Sequence, residues 1–289
     1  MDYDVLQKDL CLLGNSFVAE SITSFKDKLA FASQADDIYL FQADCLDLLD
    51  KIAAKYPNGC FDMIFADPPY FLSNGGITCQ SGKVSTVNKG DWDRSRGTEF
   101  NHAFNMQWLE KCQRVLKANG TIWVSGTMHS IYSVGFAMQK LGFKLLNDVI
   151  WQKPNPPPNL SCRYFTHASE TLIWAAKNSQ SRHVFNYEAM KEMNNHKQMQ
   201  SVWSFSPPHI SEKQFGKHPT QKPVSLVERC ILAATDKRAF IFDPFAGSST
   251  TGVAAIQTKR GFCGVELESE FIQLSTKRLQ LALNKRSRI

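Results

Sequence analysis

The sequence predicts an α/β fold: a doubly wound, mostly parallel sheet with helices between its strands. Two observations carry that expectation. Apolar runs of strand length alternate with helical periods over most of the 289 residues. In addition, two acidic turns, at Asp67 and at Asp243, each follow an apolar run, and ligands of open α/β sheets bind at such carboxyl ends.

The elements follow in order. Residues 1 to 36 are mixed and weakly helical, with no readable role. Ile38 to Gln42 reads as a strand, Asp44 stands just past it, and Leu46 to Lys55 reads as a helix. Asp62 to Ala66 is the next strand. Residues 71–100 are rich in Gly, Ser, Asn, Lys and Arg, too polar for a packed element, and a loop of that length is usually functional or disordered. Phe104 to Lys117 reads as an amphipathic helix with Met106, Leu109, Cys112, Val115 and Leu116 on one face, stopped by Asn119-Gly120. Thr121 to Ser125 is a strand, Ile131 to Leu141 a helix stopped by Gly142, and Phe143 to Trp151 an extended run. Pro154, Pro156, Pro157 and Pro158 enforce a non-helical stretch, and Glu170 to Ala176 is a strand. Residues 178–216 show no clean period. Pro223 to Ala234 is a helix with Pro in its first turn; Ala239 to Phe242, Thr250 to Lys259, Gly261 to Val265 and Phe271 to Leu283 then alternate strand and helix.

Composition bounds the function loosely. Apolar content of 43% and charged content of 21% suit one large domain, or one domain with an insertion. The net charge of +6 favours an anionic partner, but mild basicity is common and does not by itself select nucleic acid. Eight cysteines form no C-x-x-C pair and no pattern with the seven histidines, so neither a metal site nor a disulfide framework is expected. A reducing cytoplasm is the expected compartment. No signal-peptide pattern or membrane-length apolar run occurs, so no membrane association is expected.

Asp67-Pro68-Pro69-Tyr70 places one carboxylate, a rigid backbone and one aromatic face at the end of a buried strand. A flat, amino-bearing ring fits there: it stacks on Tyr70 while its NH2 donates to Asp67 and to a backbone carbonyl held by the prolines. Downstream, Asp243-Pro244-Phe245-Ala246-Gly247-Ser248-Ser249-Thr250 joins a strand to a helix through small residues that let backbone approach a ligand. Glu266 ends the following strand, at the position where a Rossmann-type acid meets ribose hydroxyls. The turn is not G-x-G-x-x-G, so it offers no strong pyrophosphate cradle. An acid in the turn suits a ligand with cationic groups, and S-adenosyl-L-methionine has an ammonium, a sulfonium and a ribose. An ordinary turn and a solvated acid explain Gly247 and Glu266 singly; their joint spacing favours a nucleoside-bearing cofactor. Lys217-His218-Pro219-Thr220-Gln221-Lys222-Pro223 reads first as a polar, proline-rich start to a helix, and helix N-termini also favour carboxylates such as the methionyl end of that cofactor.

Asp67-Pro68-Pro69-Tyr70, His218-Pro219-Thr220-Gln221-Lys222-Pro223 and Asp243-Pro244-Phe245-Ala246-Gly247, in that order, resemble the beta-group DNA amino-methyltransferases. The resemblance spans residues 36 to 280. Residues 67–76 and 155–167 look most like the DpnA type of GATC restriction systems; the HinfI type, acting on GANTC, is more distant. The resemblance implies a Rossmann-like S-adenosylmethionine-dependent methyltransferase fold with inserted DNA-recognition segments, and N6 of adenine in DNA as acceptor. It implies a catalytic set of Asp67, Pro68, Pro69 and Tyr70, and a cofactor set of Asp44, His218, Thr220, Gln221, Lys222, Asp243, Phe245, Ala246, Gly247, Ser248, Ser249 and Glu266. For Asp44, capping the next helix is an equally good role. Implied partners are double-stranded DNA, single strands as well for the DpnA type, a homodimer, and a restriction endonuclease acting on the same site. Two departures stand out: Ser248 and Ser249 occupy positions where relatives often carry a second glycine, and residues 1–36 have no counterpart.

On this basis residues 1–36 are an N-terminal extension and 37–289 the methyltransferase domain, with a mobile DNA-contacting loop at 71–100 and a target-recognition insertion at 154–216. Lys83, Lys89, Arg94 and Arg96 in the loop, and Lys197 among Tyr187, Trp203 and Phe205, suit phosphate contact and base stacking, although any single lysine is more simply a solvated charge. Asn159 and Arg163 suit base edges, or cap local structure. N4-cytosine methylation needs the same acceptors and is the near alternative; a protein or RNA methyltransferase and a non-catalytic DNA-binding module are the further ones.

Overall fold

The structure, a computed structural model, describes residues 27–286 apart from 76, 81, 82 and 87. The expectation for the lead-in therefore lies mostly outside the described residues.

Near-continuous apolar runs make strands that can be buried on both faces, as a parallel sheet requires. β1 (Leu29–Ser33), β2 (Ile38–Gln42), β3 (Phe61–Ala66), β6 (Leu116–Gly126), β7 (Lys144–Gln152), β8 (Ser169–Ala176), β9 (Val202–Ser204), β10 (Phe240–Asp243) and β11 (Gly261–Glu266) form one sheet. A separate hairpin pairs β4 (Ile77–Gln80) with β5 (Lys83–Thr86). The large sheet runs β1-β2-β11-β10-β3-β6-β8-β7-β9, with β1 and β8 antiparallel to their neighbours and the other pairings parallel.

Period-two alternation divides the strand residues between two cores. In β2, Tyr39 and Phe41 face one layer while Ile38 and Leu40 face the other. The first layer comprises α1 (Cys45–Lys55), α2 (Thr98–Val115) and α3 (Ile131–Lys140), represented in that core by Leu49, Trp108 and Val134. The short α4 (Tyr187–Met193) precedes α5 (Val224–Ala234), α6 (Thr250–Gln257) and α7 (Ser269–Arg286), which form the second layer through Leu226, Ala254 and Leu279. Chain order runs outward from β3 to β6 on one side and from β10 to β11 on the other. The crevice at the carboxyl ends of β3 and β10 is thus the topological switch point.

Five boundaries differ from the sequence reading, four of them because strand pairing outweighs periodicity. Leu29–Ser33, inside the expected extension, pairs with β2 and closes the sheet edge. The polar loop contains the β4–β5 hairpin. α2 starts at Thr98, six residues early, in an exposed turn with no apolar period to announce it. Asn119-Gly120 does not stop a helix: Leu116 already pairs with Phe61, and the register shift before Met63–Thr121 absorbs the intervening residues. Within 178–216, Val202–Ser204 adds β9 to the sheet, so Trp203 is core, with the Arg229 guanidinium 5.2 Å from its ring. Trp203 is therefore not free to stack on a base. Among the described residues, no helix is long and apolar enough to cross a membrane.

Candidate active site

A cavity of about 250 Å3 lies over the switch point. Asp44, Glu266, Asp243, Gln221 and Asp67 line it, between walls that include Phe104, Phe245 and Phe271.

The cofactor end is built by short local turns. Asp44 Oδ1 accepts the Leu46 and Asp47 N–H groups at 2.7 and 3.4 Å, capping α1, and the same residue lines the cavity. Both roles open in the sequence are thus sterically compatible. Asp243 Oδ1 accepts from Phe245 N at 3.0 Å and Oδ2 from Thr251 Oγ1 at 2.5 Å. Burial pushes the Asp243 carboxyl up to about 7, with Asp67 and Glu266 adding to the effect and the two hydrogen bonds opposing it. Glu266 Oε2 accepts from Gly247 N and Oε1 from Glu268 N, both at 2.8 Å, and burial raises its carboxyl too.

Gly247 sits at φ 52°, and a Cβ there would lie 3.0 Å from His218 Nε2. The glycine thus serves a close approach to the histidine ring, a reason the sequence did not reveal. His218 packs edge-on to Phe271 at 4.2 Å and stacks with Trp92 at 6.1 Å. Burial, then the charges of Lys222, Lys89 and Arg278, depress the imidazole to about 3, so it is neutral at physiological pH. Its Nδ1 accepts from Thr220 N at 3.3 Å. Gln221 donates from Nε2 to the Glu212 carbonyl at 3.1 Å, and its buried Oε1 has no partner among the described residues.

Ser248 and Ser249 depart from the cofactor set in different ways. Ser248 lines the cavity, but its Oγ accepts from Arg278 Nη1 at 2.8 Å. Ser249 is fully buried in the left-handed region at φ 51°, before α6, and does not line the cavity. The turn points it into the core. Arg278 and Ser275, whose Oγ donates to the Gly247 carbonyl at 2.7 Å, support the turn from behind. Neither stands out in sequence, because α7 brings them in from the far end of the chain.

The catalytic end is a cluster of charges. Tyr70 Oη donates to Asp67 Oδ1 at 2.7 Å, and Lys222 Nζ to Asp67 Oδ2 at 2.6 Å. Tyr70 Oη also lies 2.9 Å from Ser125 Oγ and 3.1 Å from Glu170 Oε2. Lys222 Nζ is 3.5 Å from Glu170 Oε2, and Lys153 Nζ pairs with Glu170 Oε1. Burial would raise the Glu170 carboxyl, but Lys222 and Lys153 hold it down to about 2. Burial and the two carboxylates push the Tyr70 phenol well above its usual range. Lys222, expected in the cofactor set, lines the cavity, but its charge is engaged by Asp67. Tyr70 is 4% exposed, with the Lys89 and Lys222 ammonium groups 5.1 and 5.2 Å from its ring centroid. Its ring is therefore covered here and offers no open stacking face. Pro68 is buried, and Pro69 lines the cavity.

Asp93 organises this corner from the polar loop. It is fully buried: Oδ1 accepts the Tyr70 and Phe71 N–H groups, both at 2.8 Å, and Oδ2 accepts Leu72 N at 3.2 Å and Ser73 Oγ at 2.9 Å. Phe71, at φ 60°, turns the successive N–H groups around one carboxylate. A buried acid in a polar run has no period, so the sequence did not single it out.

The proposed DNA-contact residues are scattered. Lys89 is half-buried over Tyr70 rather than free at the surface. Lys83 begins β5. Arg94 pairs with Asp91 at 3.4 Å, Arg96 sits 5.0 Å from the Phe100 ring, and both are exposed. Arg163 and Lys197 are exposed. Asn159 donates to the Tyr164 carbonyl at 2.6 Å and accepts from Ser161 N and Oγ, so it caps its own loop.

Sheet order and the switch-point cavity define a Rossmann-like α/β fold, shared with solved DNA methyltransferases. The chain belongs to the DNA methylase family, whose model matches residues 61–277. It is 53% identical over 247 residues to the Type II methyltransferase M2.LlaDCHI of Lactococcus lactis subsp. cremoris, covering 85% of this chain and 90% of that protein. Identity is also 53% with M2.DpnII of Streptococcus pneumoniae, covering 80% and 86%, and 46% with M2.MboI of Moraxella bovis, covering 86% and 89%. Among solved structures, the M1.HpyAVI–SAM complex matches with a TM-score of 0.64 at 26% identity, covering 83% of this chain and 98% of that one. The cytosine-N4-specific PvuII DNA methyltransferase shares the fold, with a TM-score of 0.68 at 18% identity over 90% and 94% of the chains. The resemblance drawn from three ordered motifs is borne out.

Proposed function

We propose that this protein methylates N6 of adenine in DNA at GATC, with S-adenosyl-L-methionine as donor. The observation that carries this reading is that Asp67 and Asp243, from adjacent strand ends, line one cavity. Its residues suit the donor: Glu266 for ribose hydroxyls, Asp243 for the ammonium, Thr220 and Gln221 for the methionyl end, with the unpartnered Gln221 Oε1 a free acceptor. When bound, the donor supplies an electrophilic methyl group on a sulfonium.

The chain's own residues deal with the acceptor. The adenine amine is a poor nucleophile because its lone pair is delocalised into the ring. Asp67 and the Pro68 carbonyl receive its two N–H groups and favour a pyramidal nitrogen with its lone pair aimed at the donor site. Before the amine arrives, Tyr70 and Lys222 each hold one Asp67 oxygen; Asp67 then accepts and orients the amine, whose proton leaves after transfer. A base inside a duplex is out of reach and must be swung out.

Residues 71–100 and 154–216 contact DNA, through exposed Arg94, Arg96, Arg163 and Lys197. The Type II designation of the relatives supports a partner endonuclease reading the same site in the cytoplasm; single strands are accepted as well, and the enzyme forms a homodimer. A plasmid treated with protein and donor should resist or admit endonucleases according to their response to methylated GATC, and its nucleosides should contain N6-methyladenine. N4-methylcytosine instead would replace the adenine assignment; protection at GANTC alone would replace the site.

A further inference from the structure

Glu170 has no place in the catalytic or cofactor sets, yet its carboxylate is only 11% exposed and touches three donors of the catalytic corner. Both groups that hold Asp67 have a second acceptor within reach, and in both cases it is Glu170 Oε2. Tyr70 Oη lies 2.7 Å from Asp67 Oδ1 and 3.1 Å from Glu170 Oε2. Lys222 Nζ lies 2.6 Å from Asp67 Oδ2 and 3.5 Å from Glu170 Oε2.

The chemistry of the amine makes this duplication useful. An incoming N–H donor competes with Tyr70 and Lys222 for the Asp67 oxygens. Releasing a buried ammonium without a new partner is strongly unfavourable. We propose that Glu170 is a positioning residue for methyl transfer, taking over the Lys222 ammonium and the Tyr70 hydroxyl as the target amine engages Asp67. The inference rests on the reading of Asp67 as the acceptor of that amine. Lys153, paired with Oε1, leaves Oε2 for this exchange and holds Glu170 ionised. Glu170 is the second residue of β8 and Lys153 follows β7, so their pair also ties together the two ends of the proline-bounded stretch.

Glu170→Gln tests this, assayed with purified protein, saturating GATC duplex and saturating S-adenosylmethionine. At neutral pH, kcat should fall at least about tenfold, because Lys222 keeps its hold on Asp67. Donor affinity and KM for DNA should stay within about twofold, since Glu170 does not line the cofactor cavity. The distinguishing signature is pH. The groups facing Lys222 are Asp67 after β3, Tyr70, Glu170 of β8 with Lys153 behind it, Lys89 of the polar loop, and His218 of its own segment. Burial lowers the Lys222 ammonium, but Asp67 and Glu170 together raise it above its usual value. With Gln at 170 only one carboxylate opposes burial, so Lys222 loses its proton at lower pH and frees Asp67. The kcat of Glu170→Gln should therefore recover relative to the unsubstituted protein as pH rises, because Lys222 gives up its proton at lower pH than it does with Glu170 present. Should this variant fold poorly, Glu170→Asp keeps the charge but withdraws the oxygens, and should lose kcat without that recovery. An unchanged kcat in either folded variant overturns the proposal. A pH-independent loss shared equally by donor affinity also overturns it, since that is the mark of a scaffold residue. Absence of transfer by the unsubstituted protein would overturn the functional reading and this inference together.

Discussion

At the cofactor end of the cavity, Asp243 and Glu266 are held by main-chain N–H groups and one threonine hydroxyl. At the catalytic end, Asp67 and Glu170 are held by the side chains of Tyr70, Lys153 and Lys222. Among the described residues, no cationic side chain hydrogen-bonds the first pair, and burial leaves both carboxyls raised, Asp243 to about 7. The second pair meets two ammonium groups, and Glu170 is driven to about 2. Such a difference suits two different ligands. An uncompensated buried acid favours a cation, which the donor's ammonium supplies. A neutralised acid instead favours a neutral amine, offered acceptors without excess charge.

The sharpest way to break this comparison is Asp67→Ala. It should lower methyl transfer by about 10²- to 10³-fold while leaving donor affinity largely unchanged, since the residues proposed for the donor lie toward the opposite end of the cavity. Equal loss of donor binding, measured by calorimetry, would mean the two ends are not separable. Gly247→Ala should act in the reverse sense. A left-handed backbone costs a side chain about 1–2 kcal/mol, and the Cβ would press on His218, so donor affinity should fall roughly tenfold or more. Transfer at saturating donor should change little.

The pH dependence sharpens the contrast. Donor affinity should weaken as pH falls through about 7, where Asp243 takes a proton and loses its attraction for a cation. The two acids should also bear oppositely on stability. Asp243 is raised in the folded state, so its contribution is most favourable below its usual value of 3.8 and is lost as pH rises through about 7. Glu170 is depressed, so its contribution is present above its usual 4.5 and is lost as pH falls through about 2. Denaturant titrations of Asp243→Asn and Glu170→Gln across that range should diverge in these directions. Asp93→Ala strands three N–H groups and one hydroxyl; at about 1–3 kcal/mol for each buried group left unpaired, it should lower stability in a chemical melt and lower kcat through a misplaced Tyr70, with donor affinity retained.

The turns proposed for the cofactor were legible as turns because several of their contacts are local. Asp243 binds a backbone group two residues on, and Asp44 caps the helix that follows it. Such geometry travels with a short motif. The catalytic corner was legible only at Asp67 and its immediate neighbours. Glu170, Lys153 and Asp93 sit in a strand start, a strand end and a polar loop, with no shared period or spacing. The stacking role given to Tyr70 and the surface role given to Lys89 both overlooked that these residues lie against one another. Trp203 was mistaken for a stacking aromatic because a three-residue strand shows no alternation.

The amino-acid sequence by itself determined the alternating elements, the two acidic turns and their chain order, because helix periods, apolar runs and proline- or glycine-bearing turns act over a few residues. Tertiary structure alone decided which strand ends adjoin, how charges from residues 67, 153, 170 and 222 balance, and that Ser249 faces inward. Those outcomes depend on burial and on distances of a few ångströms between segments far apart in the chain, which local propensity does not encode.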